Sequence, residues 1–172
     1  MAAGIDVWSL IDTAGPAALD RTPRPRVSTA TRLRQVLAPA LEALPRERQD
    51  ALLSLALLWH DDHDGAHGLC QAHEGDPDCD YVHALLHRRE GDFANAKYWF
   101  REVGPHPAFL VLAQVAASQG QERLLDRGAW KPAAMVDACA AALRGTASQR
   151  AALEQLQASE FQALGRHLTA AG

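Results

Sequence analysis

A run of nine residues, ALLSLALLW from Ala51 to Trp59, constrains this chain more than any other segment. Leu52, Leu53, Leu55, Leu57, Leu58 and Trp59 place apolar side chains on three sides of a helix, which asks for other helices all round it. The run is far too short to span a bilayer, so it reads as buried helix. The apolar pattern stretches the element to roughly Glu47–His73, and midway it changes abruptly to His and Asp. A central helix that turns polar is either emerging into water or entering a polar pocket. Gly65 and Gly68 fit the pocket, since a missing side chain lets another backbone or a ligand come close.

Other helices follow from stripes and breakers. Thr29 or Ser28 caps a first helix striped by Leu33, Val36, Leu37, Leu41 and Leu44, with Pro39 expected to kink or divide it. Gly75-Asp76-Pro77 is a break, after which Cys79–Glu90 forms a helix capped by Asp78 or Asp80. Gly91-Asp92 makes a tight turn into FANAKYWFREV, and Gly104-Pro105 stops that helix. Further helices are expected from His106 to Ser118, Lys131 to Leu143 and Ser148 to Leu168. No β-branched alternating run occurs, so no sheet is expected. The expected fold is all-α: a compact single-domain bundle of six to eight helices around the long central one. Residues 29–172 make the helical domain. Residues 1–28, rich in Ala, Gly, Pro and Arg, form an N-terminal extension partly anchored by Trp8, Leu10 and Ile11.

Composition narrows the function classes. The 172 residues are 48% hydrophobic and 22% charged, with a net charge of -4. That balance argues against a dedicated nucleic-acid binder, which carries a basic patch or stripe. Arg21, Arg24, Arg26, Arg32 and Arg34 read as a solvated lead-in to the first long helix. Cys70, Cys79 and Cys139 are an odd count without a CxxC pair, which argues against a disulfide scaffold and points to a reducing cytoplasm. The start MAAGIDVWSLIDTAG lacks the basic leader and long apolar core of a signal peptide, and no membrane association is expected. No glycine-rich phosphate loop, dinucleotide fingerprint or serine elbow is present.

Chemistry concentrates between His60 and His87. The stretch WHDDHDGAHGLCQAHEGDPDCDYVHALLHRRE holds six of the eight histidines. His63 with His67, and His83 with His87, are spaced one helical turn apart, roughly 6 Å along the axis. Three readings compete. In the first, His67, His83 and His87 ligate a transition metal such as Zn or Fe, with Asp64 as a further ligand or ring-orienting group. The chain lacks HExxH and the Glu-x-x-His pairs of a di-iron bundle. In the second, a metal-free pocket uses His83 and His87 as acid and base on a small anionic ligand. Tyr81, Arg88, Glu90, Lys97, Tyr98 and His106 would bind that ligand, His106 being aimed by the stiff Gly104–Pro107 linker. In the third, the histidines are a polar seam satisfied between packed helices, and His60, His63 and His73 line a wet surface. The alanine-rich Lys131–Leu143 helix is surplus apolar surface compatible with a homodimer.

Two resemblances bear on this. The glycine, aromatic, alanine, aromatic pattern of Gly91, Phe93, Ala96 and Trp99 or Phe100 resembles one tetratricopeptide unit, but no 34-residue period supports an array. The strings DGAH (64–67), YVHALLHRREGDFANAKYWF (81–100) and VGPHP (103–107) resemble a small uncharacterised family of bacterial helical proteins. That resemblance implies a shared site at His67, His83 and His87, a three-histidine rather than a four-histidine arrangement. It implies no particular reaction.

Overall fold

The computed structural model describes residues 7–170. The first six residues of the expected extension and the last two of the helical domain lie outside the described residues. Among the described residues nine α-helices follow in chain order: α1 Val7–Ile11, α2 Ala30–Leu41, α3 Arg46–Trp59, α4 His63–Cys70, α5 Pro77–Glu90, α6 Phe93–Val103, α7 Ala108–Ser118, α8 Pro132–Ala142 and α9 Ala147–Thr169. The all-α expectation holds. The helix count exceeds the expected six to eight because Val7–Ile11 folds into a short helix and the long central helix divides in two.

That division has a local cause. Asp61 adopts a left-handed backbone with φ of 66°, a conformation most side chains avoid. The Asp61 and Asp62 amides turn back onto the Leu58 and Leu57 carbonyls and close the end of α3. Asp62 then accepts from Gly65 N at 2.9 Å and starts α4 as its N-cap. Two arginines from elsewhere hold the break open. Arg89 donates to Leu58 O and Arg24 to Trp59 O, carbonyls that a continuous helix would have satisfied itself. Both guanidinium groups also bind the Asp61 carboxylate, at 2.8 Å from Arg89 and 3.1 Å from Arg24.

Other ends follow the breakers with small shifts. Thr29 caps α2, and Pro39 sits inside its last turn without dividing it. Asp76, not Asp78 or Asp80, caps α5. Its Oδ1 accepts from the amides of Asp78 and Cys79, and Pro77 takes the first helical position, where its missing amide costs nothing. Gly91, with φ of 82°, ends α5. Thr146 caps α9 in a reciprocal box with Gln149. One expectation failed: Leu125–Asp126 (β1) pairs antiparallel with Ala129–Trp130 (β2). Arg127 and Gly128 both have positive φ, the geometry that closes a two-residue hairpin. Two residues per strand are too few to show an alternating pattern.

The core gathers on α3, α5 and α9. Residues 50–59 of α3 and 78–89 of α5 are buried throughout. α5 packs on α3, α4 and α6, while α9 lies against α3, α7, α8 and α1. Leu52, Leu55, Trp59 and Phe100 are buried, and Phe93, Trp99 and Phe109 are partly buried against the same core. α8 buries Met135, Val136, Cys139 and Ala142 within this chain. No helix among the described residues is long and apolar enough to cross a membrane. Residues 12–29 form a strap on this core. Ala17 and Leu19 are buried, Gln157 donates to the carbonyls of Ala17 and Ala18, and Arg89 donates to those of Ala18 and Asp20.

A buried ion pair ties α5 to α9. Arg88 Nη2 donates to Glu160 Oε2 at 2.6 Å, both side chains being wholly buried, and Tyr81 O–H donates to Glu160 Oε1 at 3.1 Å. Removing one partner strands a charge in the core. Glu160→Ala is therefore expected to cost about 3–5 kcal/mol of unfolding free energy, measured by urea titration. A midpoint equal to wild type would show that the pair does not bear on stability.

Candidate functional site

α5 carries three polar faces, set by the 100° step between helical residues. His83, His87 and Glu90 lie on one face. Tyr81 and Arg88, seven residues apart, lie on another, and Arg89 on a third. The first face meets α4 and α6, and there three imidazoles converge. His67 comes from α4, set at an angle to α3 by the break at Asp61 and fastened by Ser54 O–H to Ala66 O at 2.7 Å. His67 Nε2 and His83 Nε2 are 3.0 Å apart. Ring centroids are separated by 4.8 Å (His67–His83), 5.6 Å (His67–His87) and 4.7 Å (His83–His87). One nitrogen from each ring lies within 4.8 Å of the others. His83 and His87 are buried and His67 is half-buried, so the cluster opens to solvent at the α4 side.

α6 completes the surroundings. Trp99 stacks on His83 with centroids 4.1 Å apart and planes 23° from parallel. Asn95 Nδ2 is 3.1 Å from His87 Nε2. Glu90 Oε2 lies 3.2 Å from His87 Nδ1, near enough to pair electrostatically but without hydrogen-bond alignment, so both His83 Nδ1 and His87 Nδ1 are buried and lack a hydrogen-bond partner. Trp99 is a wall here, as the metal-free pocket reading of the sequence allowed; Asn95 went unnoticed, although a signal exists. Residues 87 and 95 stand four either side of Gly91, and residues 83 and 99 stand eight either side. A tight antiparallel helix pair turning at Gly91 brings such positions face to face.

The remaining expected site residues go elsewhere. Asp64 points outward, its side chain 93% exposed and paired with Arg21, because three helical residues leave it some 60° from His67. Tyr81 and Arg88 face Glu160 in the core. Lys97 pairs with Asp137 of α8. Tyr98 is 45% exposed, with the Arg101 guanidinium over its ring. Only Glu90 of the expected anion-binding set adjoins the imidazoles. His60 and His63 do not line a wet surface. Both are buried, and His60 joins the amide of Ser28 to the carbonyl of Ile11. His73 does reach a half-exposed position, 2.9 Å from Asp50.

His106 belongs to a second cluster. Its Nε2 and that of His167 both meet Asp78 Oδ1, at 2.9 and 3.0 Å. No local signal links His167 to this group, since it lies some ninety residues along the chain from Asp78. This cluster is already satisfied. His106 Nδ1 accepts from the amide of Ala108 at 3.2 Å, so its proton sits on Nε2 and is given to Asp78. Arg48 places a guanidinium 3.7 Å from Asp78 Oδ2. Burial pushes the Asp78 carboxyl up, but the His106 hydrogen bond and the nearby cations outweigh it and hold the group below its ordinary range. A divalent ion there would have to displace the His106 proton, move it to a nitrogen already facing an N–H, and sit beside a guanidinium. A groove of about 570 Å³ lined by Arg34, Leu41, Arg46, Asp50 and Leu69 lies away from both clusters. The three thiols are free and buried; burial pushes Cys70 up to about 12 and Cys139 up to about 11, and raises Cys79 as well, so none is a ready nucleophile.

Comparison with protein-family models, with curated proteins and with solved structures finds no match for this chain.

Five of the imidazoles, His60, His63, His83, His87 and His167, are pushed toward the neutral form. Burial, then the neighbouring His87 and His67 rings, drives His83 down to about 3. Burial also lowers His60, His63, His87 and His167, against opposing pulls from Ile11 O on His60, Glu90 on His87 and Asp78 on His167. Unfolded, each would titrate near its ordinary value of about 6.5. The unfolded chain therefore binds more protons, and the contribution of these groups is full above that value and lost as pH falls below it. His83 alone then accounts for about 2 kcal/mol lost by pH 5. Urea midpoints of the metal-free protein should fall steeply from pH 7.5 to 5, and less steeply in His83→Gln. A flat profile would show that these rings accept protons without cost.

Proposed function

We propose that this chain binds one first-row transition-metal ion, zinc by preference, through His67, His83 and His87. The convergence of three imidazole nitrogens in a seam that keeps His83 neutral carries the reading. Neutral imidazole is the ligand form, whereas protonated rings would repel both one another and the ion. Tetrahedral zinc sets its nitrogen ligands about 3.3 Å apart, given bonds of about 2.0–2.1 Å. His67 and His83 already stand at 3.0 Å, and the His87 nitrogen, within 4.8 Å of both, would close on that pair about an ion. No carboxylate belongs to the cluster, which favours zinc, copper or nickel over magnesium or calcium.

Three protein ligands and a half-exposed edge beside His67 leave a fourth position for water or substrate. That layout is of the catalytic kind rather than a closed structural site. Bound there, the metal would supply Lewis acidity and activate water near neutral pH. Trp99, flat against His83, gives the ring a fixed orientation and an apolar wall. The free thiols suit the reducing cytoplasm as the compartment.

Elemental analysis of purified protein should show close to one equivalent of metal per chain. Zinc added to stripped protein should raise the melting temperature. His67→Ala, His83→Ala and His87→Ala should each abolish retention, with His67→Ala, at the half-exposed position, disturbing the fold least. Metal-free protein with no thermal shift from zinc, copper, nickel or iron would leave the seam as packing alone.

A further inference from the structure

His87 differs from the other two imidazoles of the cluster in having an anion behind it. Glu90, one turn further along α5, places Oε2 3.2 Å from Nδ1. Asn95 Nδ2 stands 3.1 Å from Nε2 on the opposite edge. The two neighbours agree on one tautomer. A carboxylate beside Nδ1 favours a proton there, and an amide N–H directed at Nε2 needs a lone pair there. The Nδ1 atoms of His83 and His87 both lack an aligned hydrogen bond, but only that of His87 has a carboxylate beside it.

Glu90 is itself braced. Arg21 Nη1 binds its Oε1 at 3.2 Å, while Arg21 Nη2 reaches Asp64 Oδ1 at 3.3 Å. Arg21 belongs to the strap, whose carbonyls at Ala18 and Asp20 are gripped by buried Arg89. The carboxylate is thus fixed between a helix and an anchored segment.

We propose that Glu90, braced by Arg21, is the positioning residue of the metal site. It keeps the proton of His87 on Nδ1 and so presents Nε2 as the ligand. This rests on the three-histidine reading and assigns Glu90 a role behind a ligand, not on the metal or on an anionic substrate. Metal-ligating histidines commonly give their second N–H to a carboxylate, which fixes the ring and raises its basicity. For His87 Nε2 to hold an ion, the Asn95 amide would have to yield that nitrogen, and the ring would turn to align Nδ1–H with Glu90.

The test compares zinc affinity, by competition with a chromophoric chelator, in wild type, His67→Ala, Glu90→Ala, Glu90→Gln and Arg21→Ala. Glu90→Ala should bind about 10–100-fold more weakly, with an unchanged melting temperature for the metal-free form. Glu90→Gln keeps an acceptor oxygen and should recover part of the loss, and Arg21→Ala should lose less than Glu90→Ala. Imidazole ¹⁵N shifts of the metal-free protein add a readout that packing alone would not move: His87 should be the Nδ1–H tautomer in wild type and a mixture in Glu90→Ala. Wild type that binds no zinc overturns the metal reading itself. Wild type that binds zinc while Glu90→Ala binds it equally well overturns only the role of Glu90.

Discussion

The buried pair of Arg89 and Asp61 is the interaction on which the rest depends. Arg89 is fully buried, and its guanidinium serves Leu58 O, Ala18 O, Asp20 O and Asp61 at once. A guanidinium suits this position because its planar fork holds several acceptors in fixed directions and stays charged in the interior. The pair ends α3, stabilises a left-handed aspartate and pins the strap. Each of these bears on the imidazole cluster. The break re-aims α4 so that His67 meets His83, and the strap delivers Arg21 to Glu90.

The polar residues of α5 show how one helix serves separate purposes. Its buried ion pair with Glu160 faces α9, its pair with Asp61 faces the strap, and its histidines face α4 and α6. Two faces carry paired charge, although Arg88 Nε and Nη1 lack hydrogen-bond partners, and one carries the imidazoles. Ionic pairing separates groups that complete the core from rings that still have coordination capacity. It also separates the two histidine clusters. Around Asp78 the His106 proton has a carboxylate acceptor, whereas His67 and His83 meet only each other at Nε2, and the one anion beside the group, Glu90, lies behind His87.

Much of the helical layout was legible along the chain. Thr29, Pro77, Gly91 and Gly104 mark ends through capping and backbone restrictions that act within a few residues, and the stripes on α3 and α6 follow from burial on known faces. The one-turn relation of His83 to His87 was equally plain. Other errors were avoidable on the same grounds: Tyr81 and Arg88 share a face that the 100° step turns away from His83 and His87. The break at Asp61 was not legible, since an Asp-Asp pair inside an apolar-then-polar helix gives no stop signal by itself. It forms because Arg24 and Arg89, far away in sequence, supply donors to carbonyls that the helix gives up.

The sequence by itself determined an all-helical chain, the places where most helices stop, and a short region rich in imidazole and carboxylate. These are consequences of local sterics, hydrogen-bonding capacity and apolar periodicity, which act between near neighbours. Tertiary structure decided which imidazoles meet. His67 joins His83 and His87 only because α4 leaves the line of α3, and His106 joins His167 and Asp78 only because α5, α7 and α9 end close together. Side-chain convergence is set by how helices cross, and the crossings here are fixed by buried pairs between residues that spacing along the chain does not relate.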